Sequence, residues 1–216
     1  MTVVLAFDTS TPRVSVAVVR DSEVIAENVA GELVGGQFHG ELLVDLIRQT
    51  LNGLVPDLIA VGRGPGPYTG LRVGLATALV LGEAWGKPVV GIDTLHSLAA
   101  GHVRAGGGEC IAVLDVKRRE IAWQAFDSSA HPTSTAAIVA IADLDSLPKL
   151  PLVGPAFESQ KLVQPEVADV RCVSAVDIAL LAIAMLNRGE QPEATPLYLR
   201  EPDAAEPKAP KRVFNV

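Results

Sequence analysis

Gly62-Arg63-Gly64-Pro65-Gly66-Pro67-Tyr68-Thr69-Gly70-Leu71-Arg72-Val73-Gly74 joins a short apolar run at 58–61 to a helical stretch from 69 to 85. A glycine-rich loop between a strand and a helix suits an anion, because bare backbone amides can face it and the helix N-terminus favours negative charge. Gly64, Gly66 and Thr69, read as the helix cap, are the candidates for such a site. No Lys-Ser/Thr pair closes the loop as in a P-loop, and the dinucleotide fingerprint is absent. Pro65 and Pro67 also remove amides that a phosphate cradle would use. A rigid, shaped connection therefore competes with an anion site. The helix that follows is apolar almost all round, as in a helix buried on more than one side. Its Gly70, Gly74, Ala78 and Gly82 recur every fourth position and form one smooth ridge. Glycine costs a helix about 1 kcal/mol at each position, so close approach of a second element, read here as a partner's helix, explains the ridge.

Upstream, apolar runs at 3–7, 14–19 and 24–29 are separated by Asp8-Thr9-Ser10-Thr11-Pro12 and by Arg20-Asp21-Ser22, which predicts a three-stranded meander. Residues 38–51 have the helical period, with Leu42, Leu43, Leu46, Ile47 and Leu51 spanning about half the circumference. That face is wide enough to serve as a partner surface as well as a core. Downstream, a strand at 89–92 follows Gly86-Lys87-Pro88, and a helix starts at 94–101. Beyond Ala105-Gly106-Gly107-Gly108, runs at 111–114 and 121–126 flank Lys117-Arg118-Arg119-Glu120 as a hairpin. Helices are predicted over 133–142 and 174–187, the latter with Ser174 as N-cap and Asp177 three residues on. After Arg188-Gly189 the chain is rich in Pro, Glu, Lys and Ala and reads as irregular, with a disordered end. The pattern predicts an α/β protein of two similar lobes: 1–104, a smaller 105–190, and an irregular segment 191–216.

The chain has 216 residues, 49% of them hydrophobic and 4% aromatic, so its core must be aliphatic. A net charge of −7 argues against a protein that grips nucleic acid unaided, since phosphate contacts need a clustered basic surface. Cys110 and Cys172 belong to no CxxC or Cys/His pattern and read as reduced, buried thiols. The first ten residues read as a strand rather than a signal peptide. The apolar stretch 71–85 contains Arg72 and Glu83 and is too short to span a bilayer. A soluble, cytoplasmic protein without membrane contact is expected.

Asp8, Thr9 and Ser10, directly after the first strand, have the geometry that holds hydrated metal and phosphate in actin-like ATPases. Taken alone, an Asx turn explains them better. Asp93-Thr94-Leu95-His96 with His102 lacks the three- or four-residue spacing of a helical metal pair, and His39 with Glu41 points apart on a helix start. Lys117 to Glu120 reads as a solvated turn. No metal site is expected, and no Ser/His/Asp constellation supports peptidase chemistry.

Phe7-Asp8-Thr9-Ser10-Thr11, the Phe38-His39-Gly40-Glu41-Leu42-Leu43 helix start, the 62–74 string, Gly91-Ile92-Asp93-Thr94-Leu95-His96, the 114–123 hairpin and Pro196-Leu197-Tyr198-Leu199-Arg200 together resemble the TsaB (YeaZ) family, in order from 1 to about 200. Pro67-Tyr68 stands where that family usually has Ser-Phe. The resemblance implies an actin-like, two-lobed ASKHA fold with a reduced second lobe. It implies a role in tRNA threonylcarbamoyladenosine modification, pairing with the paralogous catalytic subunit TsaD and supporting the ATPase TsaE. A homodimer when alone, and tRNA contact only through the complex, are expected. The catalytic paralogue holds a metal with a His-x-x-x-His pair where this chain has Thr94 and Leu98. Bulky Val116, Lys117, Arg118 and Arg119 follow Asp115, where an actin-like ATPase needs small residues. Pro155 replaces a second glycine after Gly154. The chain therefore reads as a non-catalytic scaffolding subunit without a cofactor. Its partner surface is assigned to Leu42, Leu43, Leu46, Ile47, Gly70, Gly74, Ala78 and Gly82. A vestigial anion site, at most a weak nucleotide site, is assigned to Asp8, Thr9, Ser10, Gly64, Gly66 and Thr69. The alternative is a small actin-like ATPase or kinase using Asp8 and the glycine-rich loop.

Overall fold

The computed structural model describes residues 1–30, 39–155 and 173–200. Strands β1 (Val3–Asp8), β2 (Ser15–Arg20), β3 (Glu23–Val29), β4 (Leu58–Gly62) and β5 (Val89–Ile92) form one mixed sheet in the order β3-β2-β1-β4-β5. β1 is antiparallel to β2 and parallel to β4, so the meander is continued by a crossover. The crossover contains α1 (His39–Leu51), and the β4–β5 crossover is α2 (Tyr68–Trp85). Both helices pack on the sheet and on each other.

The strands read as continuous apolar runs because helices cover both faces of the sheet. Leu5, Phe7, Val16, Val18, Ile59 and Val61 face α1 and α2. Val4, Ala6, Ala17, Val19, Leu58 and Ala60 face the opposite way. There they meet α3 (Thr94–Arg104) and α4 (Ala175–Asn187). α4 belongs to the second half of the chain by sequence, yet it lies against β1 and β2 of the first sheet.

The second sheet contains β6 (Cys110–Asp115), β7 (Glu120–Phe126), β8 (Ala137–Ala140) and β9 (Leu152–Val153), in the order β8-β7-β6-β9. Cys110, Ala112 and Leu114 join the core shared with the first sheet, whereas Ile111 and Val113 form a small separate cluster with Leu147 and Leu152. The helix expected at 133–142 is a correction. Ala137–Ala140 pairs antiparallel with β7, and Ile141–Ser146 forms a 3-10 turn. The run Ala-Ile-Val-Ala sits beside an open strand edge, and pairing there outweighs a local helical period. The hairpin at Cys110–Asp115 and Glu120–Phe126 is as expected.

Ser174 caps α4 by accepting from Val176 N–H at 3.2 Å. Asp177 does not turn back to the cap; its carboxylate accepts from Arg104 Nε at 2.8 Å and ties α4 to α3. After α4 the chain is irregular, and it is laid against the first sheet. Gly91 N–H donates to Pro192 O at 3.1 Å, and Leu197 N–H donates to Arg63 O at 2.8 Å. Cys110 is buried, and burial pushes its thiol up to about 11, outside the reactive range. Cys172, His39's side chain, Phe38, Ala156 and the expected disordered end lie outside the described residues. Among the described residues no helix is long and apolar enough to cross a membrane.

Candidate functional site

Asp8 ends β1 and is fully buried. Its Oδ1 accepts from Ser10 N–H at 2.8 Å and from Ser10 Oγ at 2.7 Å, the Asx turn anticipated from the sequence. Thr94 Oγ1 donates to Oδ2 at 3.2 Å and itself accepts from Gly64 N–H at 3.2 Å. A Cβ at Gly62 would collide with the same carboxylate. Burial pushes the Asp8 carboxyl upward, and the Ser10 and Thr94 hydrogen bonds only partly oppose this.

The two loops that could cradle a phosphate are instead pressed together. A Cβ on Gly66 would stand 2.7 Å from Ser10, and one on Gly74 would collide with Thr9 Oγ1. Thr9 Oγ1 donates to Gly70 O at 2.8 Å. Gly64 takes a φ of +96° and accepts from Thr94 N–H at 2.8 Å. Asp8, Thr9, Ser10, Gly64 and Gly66 are thus brought together, but as a packed junction whose donors and acceptors satisfy one another. Thr69 is not part of it. It is exposed in the first turn of α2, and the N-cap position is Pro67, with no side-chain cap.

Thr94 and Leu98 are equally committed: Thr94 to the Asp8 junction, Leu98 to the core between the sheets. His96 stacks on Phe126 with ring centroids 5.6 Å apart, and burial pushes its pKa down. His102 is buried, its pKa also lowered by burial, and a Cβ on Gly107 would collide with its ring. Both imidazoles are used in packing. Gly154, at φ +142°, lies so close to β6 that a Cβ would collide with Val113 O. Asp115 Oδ1 accepts from Lys117 N–H at 2.7 Å, closing its own turn.

If the junction is structural, Asp8→Asn keeps its shape and removes the charge that burial disfavours. The folded carboxyl's pKa is raised, so its stabilising, protonated form is lost as pH rises through that value. Asp8→Asn is therefore expected to melt at or above the wild-type temperature at pH 7, with the difference shrinking toward pH 4. Asp8→Ala strands three donors and should lose about 2–4 kcal/mol. Thermal unfolding across pH checks both.

The proposed partner surface needs correction. Leu43, Leu46 and Ile47 are buried against the sheet, with Leu42 partly buried beside them. Gly70, Gly74, Ala78 and Gly82 also face inward: Gly70 and Gly74 against Thr9, Gly82 against Val89. The ridge allows α2 to approach its own sheet and the β1–β2 loop. The faces turned outward carry other residues. Val44 on α1 is 58% exposed, and Leu79 and Val80 on α2 are 52% and 66% exposed. Arg72, Ala76 and Glu83 continue the α2 surface at helical spacing. At its N-terminal end Tyr68 stacks on Tyr198, with ring centroids 5.4 Å apart, and Arg72 lies 3.7 Å over the Tyr68 ring. The small-residue ridge was the signal for this face, since a glycine ridge pressed on a sheet turns the opposite side of α2 outward.

Two mixed sheets, the first in the order β3-β2-β1-β4-β5 with helices on both faces, define an α/β fold with the strand arrangement expected of an actin-like protein. Its hairpin site is closed. The profile of the family described as "TsaD: tRNA N6-adenosine threonylcarbamoyltransferase" matches residues 34–187. A Mycobacterium tuberculosis protein of unassigned function is 34% identical over 209 residues, 93% of each chain. The Escherichia coli tRNA threonylcarbamoyladenosine biosynthesis protein TsaB is 31% identical over 129 residues, 57% of this chain and 54% of its own. YeaZ from Pseudomonas aeruginosa superposes with a TM-score of 0.78 at 26% identity, covering 92% of this chain and all of that one. The chain belongs to the family that this profile describes, and it is similar to the TsaB and YeaZ proteins.

Proposed function

We propose that this chain is a non-catalytic, cytoplasmic scaffolding subunit in the synthesis of threonylcarbamoyladenosine in tRNA. It pairs with a TsaD-like catalytic paralogue and supports docking of a TsaE-like ATPase. The carrying observation is that Asp8, the residue an actin-like ATPase would turn toward metal and phosphate, is fully buried and bonded by Ser10 and Thr94. A closed site supports a binding role, and the exposed apolar residues of α1 and α2 offer a surface for it. The TsaB name carried by the Escherichia coli and Bacillus subtilis relatives supports the pathway. The same helix face supports a homodimer when the paralogue is absent.

Purified protein alone is expected to show no magnesium-dependent ATP turnover above a blank and no threonylcarbamoyl transfer. Turnover by a homogeneous preparation that Asp8→Ala abolishes would overturn this reading and favour a small actin-like ATPase. With a net charge of −7, the chain alone is also expected to bind tRNA no tighter than a generic acidic protein at physiological salt. Filter binding or fluorescence anisotropy measures this.

A further inference from the structure

A cleft of about 330 Å³ lies between α3, α4 and the turn at 127–131, on the side of the first sheet turned away from α1 and α2. Every residue that lines it belongs to the described parts of the chain. Its floor is apolar, with Ala100 and Val103 from α3 and Leu180, Leu181 and Ala184 from α4. None of these five is fully buried. A helix side open to water normally carries charged residues, as α1 does with Glu41, Asp45 and Arg48. The one charged residue of α4 is Asp177, and it is buried in its pair with Arg104. What α4 offers to the cleft is leucine and alanine.

The polar groups stand at the two ends. α3 and α4 run antiparallel, because Arg104 at the end of α3 meets Asp177 at the start of α4. The opposite end gathers His96, Arg188 and His131. Burial lowers the His96 pKa, Asp93 opposes this, and the charges of Arg188 and His131 add to it. From His96 to Arg104 the helix rises about 12 Å, which sets the length of the apolar floor.

The unspent hydrogen-bonding capacity of the lining is on the donor side. Asp177 is its one carboxylate; the side chain is 6% exposed, and its two oxygens accept from Arg104 at 2.8 and 3.3 Å. Glu27, Asp127 and Glu190 act on the cations from outside the lining. A guanidinium carries five N–H donors. Arg104 spends two of them on Asp177, and Arg188 spends one on Glu190. His131 meets Asp127 through Nδ1, which leaves Nε2, and Ser129 is exposed in the same turn. An acceptor entering at the Arg188 end therefore finds donors, whereas a cation finds no open carboxylate in the lining. Small-molecule sites begin at about 300 Å³ and combine an apolar lining with a few polar groups that orient the ligand.

We propose that this cleft binds a small amphipathic acid, its apolar body on the leucines of α4 and its anionic head at Arg188. The site lies apart from the outer face of α1 and α2, so the inference stands independently of the scaffolding role.

The test uses the full-length chain with anilinonaphthalene sulfonate, an aromatic acid that fluoresces in apolar surroundings, and decanoate as competitor. Wild type is expected to bind the probe, decanoate to displace it, and decylamine at the same concentration to leave it bound. Ala184→Phe and Ala100→Leu fill the cleft from opposite walls, and each is expected to weaken the decanoate-sensitive binding about tenfold or more. Arg188→Gln, at a half-exposed position, should weaken it about tenfold through loss of a charge-assisted hydrogen bond. Arg188→Lys should stay within about threefold of wild type. Leu79→Asp/Val80→Asp should bind as wild type does, and thermal unfolding reports whether each variant is folded. Unchanged affinity in Arg188→Gln overturns the proposal, even where the filled variants fail to fold. Equal displacement by decylamine overturns the acid, and a wild type without decanoate-sensitive binding overturns the site. Loss of that binding in Leu79→Asp/Val80→Asp would place the probe on the outer face of α2 and also overturn it.

Discussion

Gly74→Leu is expected to destabilise the fold rather than to release a partner from an intact subunit. A Cβ at Gly74 already collides with Thr9 Oγ1, and Thr9 Oγ1 donates to Gly70 O at 2.8 Å in the same contact. Overpacking a close contact costs about 1–3 kcal/mol or more. Loss of the buried hydrogen bond adds about 1 kcal/mol. For a domain of this size each kcal/mol lowers the melting temperature by about 2–4 °C, so a fall of roughly 10 °C is expected by circular dichroism. The contact can be tested by coupling. Thr9→Ala vacates the space, so Gly74→Ala should cost clearly less on that background than in wild type. Equal costs on both backgrounds would show that α2 does not press on the β1–β2 loop.

The complementary substitution is on the outward face. Val80→Asp, alone or with Leu79→Asp, replaces residues that are already more than half in water, so the isolated subunit should melt within about 2 °C of wild type. If the paralogue covers this face, each carboxylate is buried without a partner. A loss of about 2 kcal/mol or more then weakens the complex about 30-fold or more. Analytical ultracentrifugation of the mixture, with Glu83→Ala as a nearby control, reads this directly. Unchanged assembly in Leu79→Asp/Val80→Asp would move the partner surface away from α2.

Much of the fold was legible because local and global signals agree. Continuous apolar runs bounded by Asp8-Thr9-Ser10-Thr11 and Arg20-Asp21-Ser22 become β1, β2 and β3, and the 62–74 string leads into α2. The strand at Ala137–Ala140 was hidden because the local pattern over 133–142 reads as helical, and Ala-Ile-Val-Ala pairs only once β7 is beside it. The junction around Asp8 was half visible. The Asx turn follows from local chemistry, but Thr94 reaches Asp8 from 86 residues away, and nothing in the spacing shows that Gly62 and Gly66 are pressed against the hairpin. The ridge on α2 was read as facing a partner for a related reason. A ridge of small residues shows that something approaches closely, and here that element is the subunit's own sheet.

The most direct test of a scaffolding role is threonylcarbamoyl transfer to tRNA in a reconstituted reaction containing the catalytic paralogue and the ATPase, with and without this chain. Wild type and Asp8→Asn are expected to restore full transfer, and Leu79→Asp/Val80→Asp, although folded, is expected to leave it near the level seen without the subunit. Full transfer in the absence of this chain, or its loss in Asp8→Asn with assembly intact, would contradict a non-catalytic subunit acting through its outer helix face.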